Sequence, residues 1–170
     1  SAIFIYFSRI YNNQTMVIGT PVLNRTNFLS KSVFGMFIST QPFKQFVDDN
    51  ITVSSFVDNV TSTQFSLLRH QKYPFEMLQK YYSEHFDRTH NLYDILFSYQ
   101  NARVDTDMLS FDFESKWIFS GRQADALDIS IFDIDNTGNQ QIGYDYLTSI
   151  YTKEDILDIH NRIFYILDQI

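Results

Sequence analysis

Apolar side chains fill most of residues 2–12, AIFIYFSRIYN, and predict a helix buried nearly all round. The run TMVIGTPVL at 15–23 is rich in β-branched residues and predicts a strand. NRTNFLSKS at 24–32 is polar and reads as a loop. GMFISTQPF at 35–43 predicts a second strand, with Pro42 at its edge or end because proline has no N–H to give a ladder. From 53 to 70 the period changes, and Phe56, Val57, Val60, Gln64, Leu67 and Leu68 recur at helical spacing. Pro74 then interrupts. Proline disfavours helical backbone at Tyr73 and suits the first position of a following helix. RHQKYPFEML therefore predicts a helix, a sharp corner, and a second helix from 74 to about 84. Arg69, His70 and Lys72 close the first helix, and Glu76 opens the second; both placements suit the helix dipole.

Beyond the corner the pattern turns to sheet. LYDILFSYQN at 92–101 alternates with period two, placing Tyr93, Ile95, Phe97 and Tyr99 on one face and Asp94, Ser98 and Gln100 on the other. FDFESKWIF at 111–119 puts Phe111, Phe113, Trp117 and Phe119 on one side. LDISIFDI and QIGYDYL flank DNTGN, a hairpin signal. Thr152, with Asp155 three residues on, predicts the capped start of a last helix. Its apolar face is Ile156, Ile159, Ile163, Phe164, Leu167 and Ile170. The sum is one unit over residues 1–170 with six strands and four helices, an α/β layer in which helices cover a mixed sheet.

Composition narrows the functions. A net charge of −7 disfavours a general nucleic-acid binder, which needs a basic field, and an anionic membrane surface. No apolar run is long enough to span a bilayer. There is no cysteine, hence no disulfide and no thiolate chemistry, which fits a cytoplasmic protein. The first residue is Ser rather than Met, which reads as a piece of a longer protein. DIDNTGNQQIGY sets Asp133, Asp135, Thr137 and Gly138 in the register of a calcium loop. Its twelfth position, a bidentate glutamate in such loops, is Tyr144, so the hairpin reading prevails. Of the four histidines, His70 is placed at a helix end, His85 and His90 in a polar loop, and His160 within the last helix; none belongs to an HExxH. No Gly-rich phosphate loop and no Gly-x-Ser-x-Gly elbow is present. No catalytic residue and no metal ligand is assigned.

Four ordered motifs carry more. VFGMFISTQPFK, at 33–44, resembles the (I/V)GxFVNTxxxR motif of condensation domains of nonribosomal peptide synthetases, with Ser39 where the family often has Asn and Lys44 or Gln45 near its arginine. RHQKYPFE, at 69–76, is similar to their (H/N)QxxPFE motif. IGTPVLNRTN resembles the preceding GxPxxxR strand and loop, and HNLYDILFSYQN the strand that follows. The terminal IGYDYLTSIYTKEDILDIHNRI resembles the family's last hairpin and helix, so the likeness covers essentially the whole chain.

The resemblance implies a lobe of the chloramphenicol-acetyltransferase fold, in which two lobes form a V around a tunnel. Carrier domains deliver aminoacyl or peptidyl thioesters to that tunnel on phosphopantetheine arms, and the acceptor amine attacks the donor thioester to form an amide. The family's HHxxxDG signature lies in the N-terminal lobe. This chain has no His-His pair, so it resembles the C-terminal lobe alone, inactive by itself. The implied partners are donor and acceptor peptidyl carrier domains, the N-terminal lobe and an adjacent adenylation domain. No cofactor is bound directly, because the phosphopantetheine belongs to the carriers. Within the cleft, strand alternation points to Ser98 and Gln100, together with Ser39, as the substrate-binding polar groups. An epimerisation-type relative, or a non-catalytic carrier-binding module of the same fold, is the alternative.

Overall fold

The computed structural model describes residues 1–86, 91–101, 118, 121, 124–133 and 140–170. Its order is α1 (Ala2–Ile10), β1 (Thr15–Val22), α2 (Phe28–Ser32), β2 (Ser39–Phe46), α3 (Val53–Arg69), α4 (Phe75–Phe86), β3 (Ile95–Gln100), β4 (Leu127–Phe132), β5 (Gln141–Tyr146) and α5 (Lys153–Asp168). The strands form one mixed sheet in the order β2-β1-β3-β4-β5. The outer pairs β1/β2 and β4/β5 are antiparallel, and the inner pairs β1/β3 and β3/β4 are parallel. The mixed α/β sheet is as expected, with five strands among the described residues. The strand expected at 111–119 and the DNTGN turn at 135–139 lie outside them.

One face of the sheet carries Met16, Ile18, Phe43, Ile95, Leu127 and Ile129 into a single core. The helices meet it with Phe4 and Phe7 of α1, Phe56 of α3, and Ile156, Ile159 and Ile163 of α5. Each fully buried side chain of this size contributes roughly 1.5–3 kcal/mol. Phe4 packs edge-on against Phe43, with ring centroids 5.2 Å apart. The sequence overstates the apolar faces. Val57 and Leu68 of α3, and Phe164, Leu167 and Ile170 at the end of the chain, are exposed rather than buried. Helix α5 starts as expected: the Thr152 side chain accepts from the Asp155 N–H at 3.2 Å, and the Asp155 carboxylate accepts from the Thr152 N–H at 2.8 Å.

Three other expectations change. The polar stretch 24–32 contains the short helix α2, because Asn27 and Ser30 form a reciprocal capping box that satisfies the first-turn donors. Strand β2 begins at Ser39 rather than near residue 35, and Pro42 lies inside it, paired with Gly19. β2 is the outer strand of the sheet order, where a missing N–H costs least, so the edge placement of Pro42 stands. His85 lies in α4 rather than a loop; its Nδ1 is 2.8 Å from the Tyr81 carbonyl oxygen.

Candidate functional site

The segments that carry the motifs come together at one corner of the sheet. Helix α3 closes at His70, whose N–H donates to the Leu67 carbonyl at 3.0 Å, as its helix-end placement predicts. Helix α4 starts at Phe75, with Pro74 just before it; the Pro74 carbonyl accepts from Leu78 at 3.2 Å. The turn between the helices is bound to its neighbours through side chains. Gln71 accepts from the Asn24 N–H at 3.2 Å and donates to the Leu68 carbonyl at 2.7 Å. Gln41 is buried on β2, and its Nε2 donates to the Tyr73 carbonyl at 2.9 Å, lying 3.3 Å from both the Gln71 carbonyl and Ser39 Oγ. The corner predicted from RHQKYPFE is thus real, and Gln71 and Gln41 are the side chains that fasten it.

Arg25 fastens the loop between β1 and β2. Its guanidinium donates to the carbonyls of Ser30, Val33 (2.8 Å) and Gly35 (2.6 Å). The same group lies 4.3 Å from the centroid of the Phe37 ring, a cation–π contact. Gly35 has φ +152°, a conformation that disfavours a side chain. Tyr93 completes the corner. Its ring centroid is 5.7 Å from that of Phe75, and it lines the same cleft as Thr40. A Cβ on Gly19 would fall 2.4 Å from the Tyr93 ring. The alternation that groups Tyr93 with Ile95 and Phe97 fails there, because β3 begins only at Ile95; the Tyr93 ring instead lies against Gly19, on the side away from Ile18.

The three expected substrate-binding residues do not share a face. Register pairs Ser39 with Val22 and Phe43 with Ile18, so Ser39, Gln41 and Phe43 all lie on the helix-covered side. Ser98 and Gln100 lie on the other side, opposite Ile95 and Phe97. Ser98 is buried and its hydroxyl is 2.8 Å from that of Ser130 on β4. Ser130 in turn donates to Asp128 at 3.3 Å, and the Gln100 amide is 3.5 Å from Ser98 Oγ. The hydroxyl chain ties β3 to β4. Alternation finds the polar face, but Ser130 and Asp128, which complete the chain, escape a reading confined to one strand.

Asp128 stands directly opposite Asp145 of β5. Burial pushes its carboxyl pKa up to about 6, against the lowering hydrogen bond from Ser130, and the charges of Asp145 and Asp125 push the same way as burial. Burial, and then Asp94, raise Asp125 as well. A raised folded-state pKa means that stability is fully present below the unfolded value near 4 and is lost as pH rises through about 6. We expect Asp128→Asn to raise stability at pH 7.5 by about 1–2 kcal/mol, scaled down for solvent screening at a half-buried group. At pH 4 it should change little. Urea melts at both pH values check this; an equal effect at the two would contradict it. Among the described residues, no three acidic or histidine side chains cluster so as to hold a metal ion. No described helix is long and apolar enough to cross a membrane.

The family model of the condensation domain matches residues 1–170. The chain is 31% identical to one of the plipastatin synthase proteins of Bacillus subtilis (strain 168) over 168 residues, covering 99% of the chain and 6% of that protein. It is 30% identical to surfactin synthase subunit 1 of the same organism over 168 residues, again 99% of the chain, and spans 5% of that relative. Among solved structures it resembles the condensation domain of the Monacolin K polyketide synthase MokA, with a TM-score of 0.77 at 15% identity, over 95% of this chain and 39% of that one. The starter condensation domain of the rhizomide synthetase RzmA gives 0.69 at 20% identity, over 96% and 40%. Sheet, corner motifs and whole-length similarity agree: the chain belongs to the condensation-domain family.

Proposed function

We propose that this chain is the C-terminal lobe of a condensation domain in a nonribosomal peptide synthetase, a cytoplasmic multidomain enzyme of peptide biosynthesis. The complete domain joins carrier-bound aminoacyl or peptidyl thioesters by amide bonds. The observation that carries the reading is the match of residues 1–170 to the condensation-domain family model, with matches over 168 residues to the plipastatin and surfactin synthase proteins, of which the chain spans 6% and 5%. The shares of 39% and 40% of the condensation domains in solved structures fit one lobe of two.

In the reaction the acceptor amine attacks the donor thioester carbonyl, the amide C–N bond forms and the C–S bond breaks. The amine proton must be taken up and a thiol released, which calls for a positioned acid–base group. The chain has no adjacent histidine pair to match HHxxxDG, so that group is assigned to the N-terminal lobe. This lobe supplies wall and alignment. Ser39, at the corner, and Gln100, on the opposite face, are half-exposed and are read as the groups that meet the substrate arms. Ser98 is read as a tie between strands. Donor and acceptor carrier domains, with their phosphopantetheine, and a neighbouring adenylation domain are the partners.

The isolated 170-residue chain should form no amide above background when mixed with loaded donor and acceptor carriers. The coding sequence upstream should read HHxxxDG within the N-terminal lobe. Turnover by the lobe alone, or a degraded signature upstream, would overturn the reading and favour a carrier-binding module.

A further inference from the structure

The outer strand β5 meets β4 through two carboxyls. Asp145 lies directly opposite Asp128 in the antiparallel ladder, and both are half-buried. Side chains directly opposite in such a ladder hold their Cβ atoms about 4.5–5.5 Å apart, and like charges at that spacing repel. Among the described residues no cation pairs with either carboxyl. Asp125, ahead of β4, adds to the negative field at Asp128, and Asp94 acts on Asp125 in turn. Tyr144 and Tyr146 of β5 face the other way, toward the helices, by their pairing with Ile129 and Leu127. There His160 of α5 is the titratable group that meets β5, its Nδ1 lying 3.0 Å from the Tyr144 hydroxyl.

On its inner side Asp128 meets the opposite influence. The Gln100 amide is 3.5 Å from Ser98 Oγ, Ser98 Oγ is 2.8 Å from Ser130 Oγ, and Ser130 donates to Asp128 at 3.3 Å. Because Ser130 gives its proton to the carboxylate, Ser98 donates to Ser130 and Gln100 to Ser98, so every donor in the row runs toward Asp128. Hydrogen bonds to a carboxylate favour its charged form, whereas a second carboxylate opposite favours the neutral one. Charge on Asp128 thus tightens its tie to β3 and weakens its hold on β5. Strand β5 closes the sheet order of the described strands, and no residue of it is fully buried, so little else resists its loosening.

We propose that Asp128 is a proton-operated clasp on the outer strand: neutral, it holds β5 through Asp145, and ionised, it is held by the Ser130–Ser98 row and lets β5 loosen. The neutral carboxyl is a donor that the carboxylate opposite can accept, so one proton turns a repelling pair into a bonded one. On ionisation that proton leaves to solvent and no covalent bond in the chain changes. Burial, opposed by the Ser130 hydrogen bond and then aided by Asp145 and Asp125, pushes the Asp128 carboxyl up to about 6. A value raised in the folded state means that the grip is full below the unfolded value near 4 and fades as pH rises through about 6. The loosening is local to β5, and it does not depend on which reaction the domain performs.

The test uses a two-lobed condensation domain built with this chain as its C-terminal lobe. Hydrogen exchange is read as protection factors, corrected for the intrinsic effect of pH. In the wild type the β5 amides bonded to β4 should lose protection by about fivefold between pH 5 and pH 7.5, the scale of one like-charged cross-strand pair. Amides of β1 should hold theirs. Asp128→Asn and Asp145→Asn should each keep β5 protected at pH 7.5, and the double variant should gain nothing further, because both remove the same repulsion. His160→Gln should leave the wild-type fall intact. Unchanged β5 protection in the wild type overturns the proposal, since a cation from the other lobe would then answer the pair. An equal fall in β1 and β5 overturns it as well, by making the opening global. So does a fall that survives in Asp128→Asn, or one that disappears in His160→Gln, which would assign the effect to the imidazole.

Discussion

Replacing Gly19 by alanine should lower stability by about 3 kcal/mol, at the upper end for overpacking a filled site. The backbone does not require glycine here: positive φ occurs at Gly35 and Gly121 and not at Gly19. Alanine would normally be favoured in a strand by a fraction of a kcal/mol. The cost comes from the Tyr93 ring, where three carbons would lie 2.4–2.7 Å from the new Cβ. The Phe75 ring, tilted against it with centroids 5.7 Å apart, limits how far the Tyr93 ring can yield. Guanidinium melts of Gly19→Ala, Tyr93→Ala and the double variant form the decisive cycle. The alanine should cost much less once the ring is gone, since contacting residues couple. Equal costs in both backgrounds would show that the ring is not the cause.

Gln41→Leu should cost about 2–3 kcal/mol, because the near-isosteric leucine removes the donor that serves the Tyr73 carbonyl and lies near that of Gln71. The loss should appear as loosening of the α3–α4 junction as much as global unfolding. Hydrogen exchange at residues 70–78 should rise more than in α5, which lies elsewhere. A uniform rise across the protein, or no change in stability, would mean that Gln41 does not fasten the corner.

Both effects fall where the sequence is legible as motif but not as mechanism. The break at Tyr73-Pro74 is readable because proline acts on its neighbours whatever the surroundings. That Gln41, some thirty residues away, holds the break is not, because a strand residue does not advertise which helix turn it will meet. The periodicities of α3 and α5 mark one buried face each, and Phe56, Ile156, Ile159 and Ile163 fill it. They overstate its width, because a helix on a sheet buries a narrow stripe. Period-two alternation places Ser98 and Gln100 opposite the core, as the register has them. The same rule misplaces Tyr93, which lies outside the hydrogen-bonded ladder that enforces alternation. Ser39 groups with Ser98 in the sequence because all that a single sequence offers is polarity. Alternation puts Ser39 on the same side as Phe43 whichever residue opens β2; that this side is the helix-covered one follows from the pairing of Phe43 with Ile18, which a single sequence does not show.

The decisive measurement is the intact mass of an aminoacyl-loaded acceptor carrier after it is mixed with a loaded donor carrier and a two-lobed condensation domain built with this chain as its C-terminal lobe. The mass should rise by the donor acyl group, joined through an amide that survives mild thiolysis of the thioester. An unchanged acceptor mass would contradict amide formation, and chiral analysis of the amino acid released from that acceptor would then show whether it had only been epimerised.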